Sequence, residues 1–217
     1  MQEIEEISVG GSVKLRGSVK FGRIKVAGSV KIEGDSEGEE LHVSGSGKVE
    51  GHLKVKELKV TGSMKVGSLK ADEVYISGSF SSEGDLTAGY LEVAGSMKAP
   101  RVRAGEVVLS GSANFKELEA KEVTIGKKSK VRGLVVANQV SLGRDSEAEM
   151  IVGGSVKVGR GAEVDSIEAL DVVVERDAYV GELYYVREAK VHERAEVDKL
   201  IRIDSLSRKL PDDGNLG

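Results

Sequence analysis

The sequence predicts an all-β chain wound as a three-sided parallel β-helix of about twelve rungs. Three observations predict it: an apolar triplet that returns every 16 or 17 residues, two-residue alternation between triplets, and repeated Gly-Ser punctuation. A fixed period of this kind is the mark of a solenoid. No segment carries a helical period, so the repeating unit is built from strands.

The triplets begin at Ile7, Ile24, Leu41, Leu58, Val74 and Leu91, and continue at Val107, Val123, Val140, Val156, Val172 and Ala189. With the first triplet residue as position 1, apolar or small residues fall at positions 1 and 3, 7 and 9, and 12 and 14. Leu58, Val60, Met64, Val66, Leu69 and Ala71 make one such turn. Residues i and i+2 of a strand face the same side, so each turn offers three short strands with two inward side chains each. At about 4.8 Å per rung the rod is roughly 55–60 Å long.

Corners follow the first strand. They read Gly11-Ser12, Gly28-Ser29, Gly45-Ser46, Gly62-Ser63, Gly78-Ser79, Gly95-Ser96 and Gly111-Ser112, where glycine is expected to supply the positive φ of a tight turn. From Ile125 onward the corner lengthens, as in Gly126-Lys127-Lys128-Ser129 and Gly143-Arg144-Asp145-Ser146. The period runs through this change without a linker. The expected organisation is a lead-in at residues 1–6, one β-helix domain at 7–204 and a short tail at 205–217.

Composition fits a thin rod. The 217 residues are 39% hydrophobic and 31% charged, with 28 glycines for corners and two prolines. The absence of cysteine excludes a disulfide framework and thiolate metal sites. No apolar run approaches a spanning helix, and the acidic start Met1–Ile7 has no secretory apolar region, which points to a cytoplasmic protein.

Catalytic patterns do not emerge. His42, His52 and His192 are spread over different faces and rungs, no nucleophile elbow or phosphate loop occurs, and no carboxylate pair sits in an apolar setting. The turn is too short for hexapeptide-repeat acyltransferases, and the chain lacks the long loops of pectin-lyase-like helices. The expectation is a non-enzyme without cofactor, metal or bound nucleotide.

Two surface features invite a partner. Position 8 carries Lys14, Lys31, Lys48, Lys65, Lys98 and Lys130, a basic ladder suited to a polyanion or a peripheral anionic surface. Position 13 turns apolar late in the chain, at Val135, Val152, Tyr184 and Ile201. An exposed apolar stripe of this kind serves lateral association; the alternatives are a tail folded back over it, or a strand register that places these side chains in the core.

The turn Val123-Thr-Ile-Gly-Lys-Lys-Ser-Lys-Val-Arg-Gly-Leu-Val-Val-Ala137 and the turn opening at Val156 resemble those of bactofilins, polymer-forming cytoskeletal proteins of prokaryotes. The resemblance spans roughly residues 7–204. It implies a right-handed helix and nucleotide-independent filaments built by end-to-end stacking, in which like ends meet. The chain's own partner would then be itself, with any membrane association passing through other proteins. The expected N-terminal stacking surface is Ile7, Val9, Val13, Leu15, Val19 and Phe21. At the other end it is Ala189, Val191, Ala195, Val197, Leu200 and Ile203. The competing expectation is a rod-like, non-enzymatic binding module that presents the lysine ladder to nucleic acid, anionic lipid or an acidic polymer.

Overall fold

The computed structural model describes residues 2–212, and all of its regular structure is β. Seventeen strands pair in parallel and stack into a solenoid of about twelve turns. The pairing register follows the sequence period. Leu41 pairs with Leu58, Leu58 with Val74, Leu91 with Val107, and Val107 with Val123.

The core is the stack of inward positions. Leu58, Val60, Met64, Val66, Leu69 and Ala71 are all at most 5% exposed, and so are Val107, Leu109, Ala113, Phe115, Leu118 and Ala120. One column is kept small: Ala71, Ala88, Ala104, Ala120, Ala137, Gly153 and Ala169 lie in register over seven turns. Small residues there leave room for the larger Leu and Ile of the facing columns, since a β-helix interior is filled at close to crystalline density.

The Gly-Ser corners owe their glycine to contact rather than to dihedral angle. None of Gly28, Gly45, Gly62, Gly78, Gly95 and Gly111 has positive φ. A Cβ at Gly62, for example, would stand 2.0 Å from the carbonyl oxygen of Gly45 one turn below. The following serine continues the ladder, as Ser63 N donates to Gly45 O at 2.9 Å. Positive φ does occur in the longer corners of the later turns, at Lys128, Asp145, Gly161 and Asp177.

That longer corner shifts the register in one turn. Ser112 pairs with Lys130, Ala113 with Val131, and Leu118 with Val135. Buried Ser129 therefore takes the place of Gly111, because Lys130 N donates to Gly111 O and Glu147 N to Ser129 O. One of the two added residues is offset by an irregularity where Asn114 and Glu117 face Arg132 and Leu134, which keeps the turn near its usual length.

Candidate assembly surfaces

The first surface is the N-terminal end. The strand Gln2–Val9 starts inside the segment read as a lead-in and pairs with Val19–Val26, setting Ile4 over Phe21. Val19 and Phe21 are consequently 1% and 3% exposed, and they belong to the interior rather than to the end as expected from sequence. Val9 is also buried. Ile4, Ile7, Val13 and Leu15 remain half-buried against the core and form the open cross-section.

At the other end Glu196–Arg202 pairs with Tyr179–Val191. Ala189, Val191, Ala195 and Val197 are half-buried there, and Leu200 is 50% exposed above Leu183. The inward place next to Leu200 falls to Arg202, which pairs with Tyr185, and not to Ile203 as the sequence suggested. Ile203 instead donates its N–H to Tyr185 O and begins the departure of the chain from the stack.

The apolar stripe needs a larger correction. Val135 is fully buried in the core, because the lengthened corner at Gly126–Ser129 moves it one place and gives the outward position to Val136. The true outward column reads Val136, Val152, Glu168, Tyr184 and Ile201. Val136 and Val152 are 3% exposed although neither belongs to the core cluster. The tail lies beside them. Ser207 donates from its backbone and its hydroxyl to Glu168, Asn138 Nδ2 donates to Pro211 O at 3.1 Å, and Leu210 packs close to Gly154. Of the two uses foreseen for the stripe, tail cover is therefore the one seen at Val152. Tyr184 is half-buried and Ile201 stays 38% exposed. Residues 213–217 of the tail lie outside the described residues.

The lysine ladder is real through Lys98 and then changes hands. Lys14, Lys31, Lys48 and Lys65 stand in register, with Ser81, Lys98 and Asn114 continuing the column. Lys130 falls in the neighbouring column beside Ser112, and Arg132 takes the place opposite Asn114. Carboxylates interleave with the ladder. Glu33 accepts from Lys14 and Lys31, each at 2.7 Å, Glu50 from Lys31 and Lys48, and Glu83 pairs with Lys65. Hydrogen bonds from Lys14 and then Lys31 hold the Glu33 carboxyl down at about 2. Hydrogen bonds to Glu33 first and Glu50 second raise the Lys31 ammonium. These groups are solvent-exposed, so each pair adds little to stability.

Past Arg132 the same face turns acidic. Glu147, Glu163 and Glu196 follow Lys130 down one column, with Tyr179 between the last two. Glu149, Asp165 and Asp198 stand two residues further along their strands, all exposed. Among the described residues no cluster of three His, Asp or Glu side chains could hold a metal ion, and no helix is long and apolar enough to cross a membrane. His52 shares a 2.8 Å hydrogen bond with Ser68 on the outside of the rod.

Residues 7–99 match the bactofilin family model, described as polymer-forming cytoskeletal. This segment covers the first six triplets of the chain. No curated protein and no solved structure matches the chain.

Proposed function

We propose that the chain, with its bactofilin-like residues 7–99, is the subunit of a nucleotide-independent cytoskeletal or scaffolding filament that grows by end-to-end stacking of right-handed, three-sided rods. The observation that carries this reading is the state of the two ends. Among the described residues, Gln2–Val9 and Ser12–Arg16 find their register partners in the next turn up, and Glu196–Arg202 in the turn below. Each end thus offers strand N–H and C=O groups together with half-buried apolar side chains. Solenoids that stay single cover such ends with polar capping elements, and an open strand edge templates another strand.

Stacking of like on like would bury Ile4, Ile7, Val13 and Leu15 at one junction, and Ala189, Val191, Val197 and Leu200 at the other. Each junction is isologous, and two different isologous junctions on one rod give an unlimited filament. The described part of the tail, residues 205–212, supports the reading, because it runs along the side of the rod, where Ser207 meets Glu168 and Pro211 meets Asn138.

The test is electron microscopy and sedimentation of Ile7→Lys and Val197→Lys. A lysine in either cross-section must be desolvated on stacking, which is costly. Each single variant should lose long filaments and keep only the junction at the unaltered end, and the double variant should form no end-to-end junction. Filaments of wild-type length from the double variant would exclude both junctions.

A further inference from the structure

The face that begins as a lysine ladder and ends as an acidic one is self-complementary when turned end for end. We infer that this face pairs with the same face of a second copy, antiparallel and in full overlap, to join rods side by side. The inference stands on the charge pattern and does not rest on end-to-end stacking.

Two columns of exposed or half-exposed residues make the face. One runs from Ser12 through Ser112 to Lys130, Glu147, Glu163, Tyr179 and Glu196. The other runs from Lys14 through Asn114 to Arg132, and continues along the same strands as Glu149, Asp165, Gly181 and Asp198. A two-fold axis parallel to the strands, between the sixth and seventh turns, keeps each column facing itself and reverses the order of turns. Lys14 then meets Asp198, Lys48 meets Asp165 and Lys65 meets Glu149.

The remaining positions matter as much, since like charges in contact would veto the register. Lys31 meets Gly181, Lys98 meets Asn114, and Arg132 meets Ser81. In the serine column Ser46 faces Glu163, Ser63 faces Glu147 and Ser79 faces Lys130. No pair of like charges is opposed in either column. The basic turn at Lys130 and Arg132 lands on the one early turn where the ladder has serine in place of lysine. A parallel side-by-side pair would instead set Lys48 on Lys48 and Asp165 on Asp165.

The strip is about 10 Å wide and 55–60 Å long, so it buries roughly 600 Å² per partner, at the lower end for a specific interface. A polar contact of this size is steered by charge and screened by salt. Carboxylates such as Glu33 already accept from the ladder, which lowers its positive potential without reversing it. Where stacked filaments form from like ends, rods alternate in direction, so two filaments side by side can satisfy every lateral pair at once.

The chain has no cysteine, which allows a direct test. Lys48→Cys with Asp165→Cys should give disulfide-linked dimers under mild oxidation in low salt. The two positions in one chain are seven turns, about 34 Å, apart, far beyond disulfide reach. Lys48→Cys with Asp198→Cys, two turns out of register, should link at least tenfold less. Equal linking by both pairs, no linking by either, or efficient linking of Lys48→Cys alone would overturn the proposal. Charge reversal gives a second readout. Lys14, Lys48 and Lys65 changed together to Glu, and Glu149, Asp165 and Asp198 changed together to Lys, should each abolish pairing, and mixing the two variants should restore it. Pairing that persists in either variant alone would also overturn the proposal. Failure of lateral pairing leaves filaments of single width, whereas failure of end stacking leaves linked pairs that do not elongate.

Discussion

Ser207 holds the tail to the rod by giving two hydrogen bonds to one carboxylate, from its backbone N–H to one oxygen of Glu168 and from its hydroxyl to the other at 2.6 Å. The two residues are 39 apart in sequence. Glu168 is the one charged member of an otherwise apolar column, so the charge sits where the tail needs an acceptor. Arg208, reaching to 3.8 Å from Glu117, and Asn138 on Pro211 O extend the attachment.

Removal of residues 205–217 should therefore expose Val136 and Val152 and lower stability by about 1–3 kcal/mol, the worth of two partly re-exposed valines. Dye binding to apolar surface and precipitation at low salt should rise together. Glu168→Ala should loosen the tail with a smaller loss, about 1 kcal/mol. Hydrogen exchange at the Ser207 amide reads this directly, and unchanged protection in Glu168→Ala would show that the tail is held elsewhere.

Phe21 and Gly38 form a matched pair inside the early turns. A Cβ on residue 38 would come within 2.2 Å of the Phe21 ring, so the glycine is the space into which the ring fits. Gly38→Ala should cost about 1–3 kcal/mol through overpacking. Phe21→Leu alone should also destabilise, by removing buried ring area. The combination should lose less than the sum, because the smaller side chain vacates the contested space. Additive losses in chemical denaturation would mean that the clash is relieved by backbone movement.

The sequence made the solenoid legible because every turn buries the same positions, so the period survives substitutions at any one of them. Ala137 and Gly153 differ in size but keep their place in one column. What the sequence hid depended on counting across corners. The corner at Gly126–Ser129 differs in length from Ser110-Gly111, and a one-residue slip in a strand moves a side chain to the other face. That slip misplaced Val135, whereas Lys130, just past the corner, shifted by two residues and kept its face but changed its column. Phe21 was read as an end residue because nothing in Gln2–Glu6 alternates apolar and polar strongly enough to announce a strand. The acidic continuation of the lysine face needed the register itself, since Glu149 and Asp165 align with the ladder only after the corner is resolved.

The Glu33 carboxyl titrates at about 2 because Lys14 and Lys31 donate to it. Its folded value is depressed, so its contribution to stability is present above the ordinary carboxylate range near 4.5 and is lost as pH falls toward 2. The group is exposed, and the effect on overall stability is small. Carbon-detected NMR titration of an end-blocked variant should show the depressed midpoint. Lys14→Met should return it part of the way, and Lys31→Met somewhat less. A midpoint near 4.5 in the unmodified ladder would mean that solvent outcompetes both lysines.

Ser129 and Ser146 occupy equivalent corner positions one turn apart, with opposite bonding. Ser146 Oγ donates to Gly143 O at 2.8 Å, whereas Ser129 Oγ is buried with no partner among the described residues. The next two turns place Ala162 and Ala178 at this position, both at most 2% exposed, so alanine fits the space without strain. Removing an unsatisfied buried hydroxyl relieves its desolvation cost, and removing a satisfied one forfeits a bond. Ser129→Ala should therefore stabilise the rod by about 1 kcal/mol, and Ser146→Ala should destabilise it by a similar amount. Both should shift the urea midpoint without changing the slope, since neither alters the area exposed on unfolding. Destabilisation in both variants would show that the Ser129 hydroxyl has a bonding partner in solution and that the two corners are equivalent after all.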